Sequence, residues 1–244
     1  MSSNSEVGHA KNVANLQKLI EQVSVYTLYN PPVKNLQISE LQSLYTTAVA
    51  KLAEVEEKRT ANKNAITQRQ ITFEKLKPIC TRIISLLDVL ALPEGTLNHA
   101  KTLNRSIQGK SKKPKPAENP DSGQPATGSQ ISTSRQSYTQ QAENFGILLQ
   151  LLATIPSYKP NEDDLKLSSL TPYQASLVSA TQPVDQTEAE LNVRLIERNQ
   201  ILYAEETGLY IIAQNVKKYV KSIYGATSAE YAKVLSIKFK MVPK

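Results

Sequence analysis

Residues Thr187 to Gly225 read TEAELNVRLIERNQILYAEETGLYIIAQNVKKYVKSIYG. Within them Leu191, Leu195, Ile201, Leu202, Leu209, Ile212, Val216, Tyr219 and Ile223 recur near helical spacing, which predicts one long amphipathic helix. The whole chain points the same way. Only 8 glycines and 3 phenylalanines occur among 244 residues, with no tryptophan, while Leu, Ala, Gln, Glu and Lys are plentiful. Such a mix favours helices over sheets, and an all-α fold is expected.

Upstream of this stretch, Thr171 is a candidate N-cap with Pro172 in the first turn, so the long helix is expected over about 171–224, kinked at Pro183. Gly225 is its natural stop, and Thr227 or Ser228 caps a last short helix over about 228–238. Before it, Phe145, Leu148, Leu149 and Leu152 mark a short helix over about 139–156. The first half shows the same order. Val13, Leu16, Leu19, Ile20 and Val23 form one helical face that ends before Tyr29-Asn-Pro-Pro32. Ser39, with Gln42 three residues on, has the capping-box pattern and opens a second long helix, expected to kink at Pro78 and end at Leu92-Pro-Glu-Gly95. A short helix through Leu97, Ala100, Leu103 and Ile107 follows.

The two halves align at one unbroken shift of 129 residues. Leu19-Ile20 falls on Leu148-Leu149, Tyr29-Asn-Pro31 on Tyr158-Lys-Pro160, Leu36-Gln-Ile-Ser39 on Leu165-Lys-Leu-Ser168, and Arg69 on Arg198. With three more residues in the last loop, Ala100-Lys-Thr-Leu103 falls on Ala232-Lys-Val-Leu235. Helical periodicity alone would not also match Tyr-x-Pro and Leu-x-(Ile/Leu)-Ser. The expectation is therefore an elongated antiparallel helical bundle built from two duplicated short–long–short helical units, residues 1–107 and 138–244. Residues 108–137 are rich in Pro, Gly, Ser and Lys and nearly free of large apolar side chains, which predicts a flexible linker.

The Tyr158-x-Pro-Asn-Glu162 loop, Arg198-Asn199 with Leu202-Tyr203, and Val216-Lys-Lys-Tyr-Val-Lys-Ser222 leading into Gly225-Ala-Thr-Ser228 resemble a family of uncharacterised, internally duplicated all-helical bacterial proteins. The likeness covers most of the chain. It implies the duplicated helical fold and a bacterial intracellular setting, and it implies no activity.

Charge and chemistry narrow the function. The net charge of +7 is uneven: 13 basic residues face 9 acidic ones over 1–109, 5 face 2 over 110–139, and 11 face 11 over 140–244. The densest basic run, Lys110, Lys112, Lys113 and Lys115, lies in the linker. It reads as a solvated tether or, alternatively, as a weak, non-specific contact to nucleic acid. His9, in a frayed terminus, and His99 are the only histidines, and no Cys/His cluster, Gly-rich phosphate loop or nucleophile elbow occurs, so no metal, cofactor or catalytic residue is expected. Cys80, beside Ile79, Ile83 and Ile84, reads as a small core residue. Absence of a signal-peptide core and of a long apolar run predicts a cytoplasmic protein with no transmembrane segment.

What remains is a candidate partner surface on the opening stretch: Glu205, Glu206, Tyr210, Lys217, Lys218 and Lys221. Each has a plainer reading. The adjacent carboxylates suit a solvated face, and the lysines complement the negative end of the helix dipole. Tyr203, Tyr210, Tyr219, Tyr224 and Tyr231 suit either an interface or the edge of a core. The expected function is a non-enzymatic helical interaction or structural protein with a protein partner or self-association. Nucleic-acid association and long-helix, cytolysin-like membrane action are the alternatives.

Overall fold

A computed structural model describes residues 4–109 and 137–241. The protein is all-α: among the described residues there are nine α-helices and no strand. They are α1 (Asn4–Ser24), α2 (Ile38–Phe73), α3 (Leu76–Val89), α4 (Glu94–Gln108), α5 (Tyr138–Ala153), α6 (Leu167–Ser179), α7 (Gln182–Tyr203), α8 (Leu209–Tyr224) and α9 (Ala229–Ser236). Single 3-10 turns, Lys34–Leu36 and Asp163–Leu165, precede α2 and α6. The expected linker lies almost wholly outside the described residues, although Gln108 still belongs to α4 and the Ser137 side chain caps α5 by accepting from the Gln140 N–H.

The long helices are not continuous, and this corrects the reading of the opening stretch. α7 ends at Tyr203 and α8 begins at Leu209, with a turn between them. Gly208 explains the break. A Cβ there would stand 2.5 Å from the Ala204 nitrogen and 2.6 Å from its carbonyl oxygen, so only glycine lets the chain fold back this closely. Glu205 and Glu206 are therefore exposed turn residues and not part of a helix. Pro78 and Pro183 interrupt the long helices as expected: α2 ends at Phe73 and α6 at Ser179, about one turn before each proline. Each sits in the first turn of a new helix, α3 and α7, where a missing N–H leaves no helical bond unmade. The expected caps at Ser39 and Thr171 lie inside helices, because α2 begins at Ile38 and α6 at Leu167; Pro172 consequently stands within α6. Gly225 (φ +92°) and Ser228, which accepts from the Tyr231 N–H, act as expected.

The chain divides into two compact units, and each draws on both halves of the sequence. Unit 1 comprises Met1–Lys63 with Thr187–Lys244, and unit 2 comprises Asn64–Gln186. In unit 2 the core joins Leu76, Cys80, Ile83 and Leu87 of α3 to Ala100, Leu103 and Ile107 of α4, Phe145, Leu148 and Leu152 of α5, and Leu170 and Leu177 of α6. Burial pushes the Cys80 thiol up to about 12, as befits an inert core residue. In unit 1, Leu16, Leu19 and Val23 of α1 pack with Leu41 and Ala48 of α2, Leu202 of α7, Ile212, Val216 and Val220 of α8 and Val234 of α9. Each fully buried Leu or Ile contributes about 1.5–3 kcal/mol.

Also in unit 1, Lys51 pairs with Glu197, Glu54 with Arg194 and Lys58 with Glu190, while Thr187 donates to the Asn62 side chain. As one number rises the other falls in step, so these parts of α2 and α7 run antiparallel. Such half-exposed pairs fix register more than they stabilise, at about 0–1 kcal/mol each.

The 129-residue shift recurs in the structure. Both 3-10 turns obey it, as do the starts of α2 and α6. So do the buried pairs Leu19 and Leu148, Leu41 and Leu170, Ala48 and Leu177, and Leu87 and Val216.

Candidate functional site: a groove filled by the chain's own tail

After α9 the chain leaves the helix at Ile237, whose backbone is extended (φ −76°, ψ 106°), and continues without helix or strand to Met241. Burial alternates over 237–240, the pattern of an extended chain. Ile237 is half-buried and Phe239 buried, while Lys238 and Lys240 are exposed. Three side chains hydrogen-bond the backbone of this segment. The Asn12 side chain donates to the Lys240 carbonyl (2.7 Å) and accepts from the Lys240 N–H (3.0 Å), so one amide reads both polar groups of one peptide residue. Asn15, one turn along α1, donates to the Lys238 carbonyl (2.6 Å). From α8, the Lys217 ammonium donates to the Ile237 carbonyl and stands 5.0 Å from the centre of the Phe239 ring, within cation–π range.

The floor of this groove is polar and buried. The Asn12 amide also donates to the Tyr203 hydroxyl (3.2 Å), which is 2.7 Å from His9 Nδ1. His9 is therefore an ordered part of unit 1 at 3% exposure, which corrects its expected place in a frayed terminus. Lys217 is 6% exposed. Burial, followed by repulsion from Lys238, pulls its ammonium below the usual lysine range.

Sequence reasoning singled out Lys217 but missed Asn12, Asn15, His9, Tyr203 as a groove residue, and Phe239. A signal was present: His9 and Asn12 lie one turn apart, and Asn12 and Asn15 stand at i, i+3 on the face that continues as Leu16 and Leu19. Polar residues in line with a core stripe mark a place where something other than a helix packs.

The remaining candidates scatter. Tyr210 is half-buried against the unit 1 core. Lys218 is exposed, and exposed Lys221 stands 5.8 Å from the centre of the Tyr231 ring in the last turn of α8. Glu205 and Glu206 stand before the opposite end of α8. Lys110, Lys112, Lys113 and Lys115 lie outside the described residues.

Tyr219 and Tyr224, together with Tyr26, tie unit 1 together. Tyr219 donates to the Asn30 carbonyl (2.6 Å), Tyr224 accepts from the Leu28 N–H (3.2 Å), and Tyr26 donates to the Glu230 carbonyl (3.0 Å). These bonds fix the loop after α1 so that Val25, Leu28 and Val33 face outward, 71%, 59% and 54% exposed. At the shifted positions the second half carries Thr154, Ser157 and Glu162, also exposed.

No family model, curated protein or solved structure matches this chain. Among the described residues no helix is long and apolar enough to cross a membrane, and no group of three or more His, Cys, Asp or Glu side chains is placed to hold a metal.

Proposed function

We propose that the protein is a non-enzymatic helical interaction protein that binds an extended segment of a partner in the groove between α1 and α8. One observation carries the reading: side chains on two helices recognise the main chain of an extended segment, with a single aromatic side chain as anchor. This is how peptide-binding surfaces obtain affinity from backbone bonds and selectivity from one pocket. The resident tail is then an intramolecular competitor at millimolar effective concentration. The common 129-residue shift of the turns, helix starts and buried positions supports an internal duplication, with the groove belonging to one copy: where the tail runs extended after α9, the corresponding stretch of α4 stays helical to Gln108.

The test uses the full chain carrying Phe239→Ala, which loosens the tail, and a labelled peptide of residues 235–241. Fluorescence anisotropy is expected to show saturable binding that Asn12→Ala weakens at least tenfold. A Phe239→Ala protein that keeps its helical circular dichroism and takes up no peptide refutes the reading. Amide exchange on the unaltered protein is the companion measurement. The Lys240 N–H should exchange faster than the amides of α8; equal protection would make the tail a fixed part of the core.

A further inference from the structure

The resident tail is a poor match to its groove at one point, and the mismatch specifies a better occupant. The Lys217 ammonium is buried, yet among the described residues it meets a carbonyl oxygen and a ring face and no carboxylate. Charges taken out of water are normally paired. Unfilled, the groove would leave this ammonium hydrated; filled by the tail, it loses that water and gains only dipolar partners. The tail also brings the wrong sign, since its own charged side chains are Lys238 and Lys240. The Lys238 charge is close enough to lower the affinity of Lys217 for its proton.

The carbonyl that Lys217 touches belongs to the peptide unit joining Ile237 to Lys238. The Cα of the second residue is the next backbone atom but one, and the Lys238 charge carried there already acts on this ammonium, so a carboxylate in its place would attract where Lys238 repels. It would set an opposite charge against an ammonium whose present hydrogen bond goes to a neutral carbonyl. The bonds from Asn12 and Asn15 go to main-chain atoms and are indifferent to this change.

Resting on the reading of the groove as a peptide site, we propose that its partner is an extended segment with an acidic residue immediately before an aromatic anchor, the carboxylate pairing with Lys217 and the aromatic ring taking the place of Phe239. The tail then serves as a weaker resident that an acidic–aromatic segment displaces.

Two labelled peptides test this on the full-length Phe239→Ala protein: Ser-Ile-Lys-Phe-Lys-Met, the sequence of residues 236–241, and the same peptide with Glu in place of its first Lys. The expected result is at least tenfold tighter binding of the Glu peptide at low salt. That preference should shrink as salt is raised and vanish in a Lys217→Met variant, which should still bind the Lys peptide through Asn12 and Asn15. Equal binding of the two peptides, or a preference that survives Lys217→Met, overturns the proposal while leaving the groove a peptide site. Failure of both peptides to bind removes the groove reading itself.

Discussion

Tyr29 and Tyr158 are each buried, and each donates its hydroxyl to a carbonyl seven residues on: Leu36 at 2.7 Å in unit 1 and Leu165 at 2.8 Å in unit 2. Burial raises the pKa of both phenols, Tyr158 up to about 12, so neither ionises in the neutral range. Each bond clamps the loop that turns the chain into the next helix. Replacing either tyrosine by phenylalanine leaves a buried carbonyl without its donor, which costs about 1–3 kcal/mol. Tyr29→Phe and Tyr158→Phe are expected to lower stability by similar amounts in urea unfolding, with amide exchange locating the loss in the unit concerned. No loss in either variant would show that water replaces the hydroxyl. These two residues were legible in the sequence as the shared Tyr-x-Pro signature. Asn12 and Asn15 were not, because an asparagine on a helix reads the same whether its amide meets water or a peptide backbone.

Helices themselves were well marked by their apolar stripes, and their breaks were not. Leu202 and Leu209 are both fully buried although a turn separates them, so the apolar spacing runs through the break without losing phase. Gly208 was the only local sign, and glycine in a helical pattern is ambiguous until the backbone it touches is known. Gly208→Ala is expected to destabilise unit 1 by about 1–3 kcal/mol, because the new Cβ meets the Ala204 backbone, which has no side-chain freedom with which to yield. Gly95 in α4 is the control. Nothing lies within 4 Å of its Cβ position, and Gly95→Ala should stabilise by about 0.5–1 kcal/mol through helix propensity. Thermal unfolding of the two variants in parallel checks the contrast, and equal effects would contradict it. The prolines were read correctly as interruptions: each ends one helix about a turn upstream and stands in the first turn of the next.

The two compact units divide the molecule in a way that its sequence does not. Helical periodicity reports which face of a helix is buried and is silent about which other helix buries it, so the apolar stripes were visible and the division into units was not. Unit 1 needs segments from both sides of residues 110–136. A protease site introduced between residues 110 and 136 and cut to completion should therefore yield two fragments that elute together and keep their helical signal; fragments that separate without denaturant would refute the interleaved arrangement. The same division sets an order on synthesis. Unit 2 is one continuous stretch, Asn64–Gln186, and can close as soon as it leaves the ribosome. Unit 1 cannot. Its first segment is made early and then waits about 7–29 s for roughly 145 residues to be translated before α8 arrives, with α9 later still. During that interval Leu16, Leu19 and Val23 are without the helices that bury them, and the nascent chain offers chaperones an apolar helix face that the finished protein conceals.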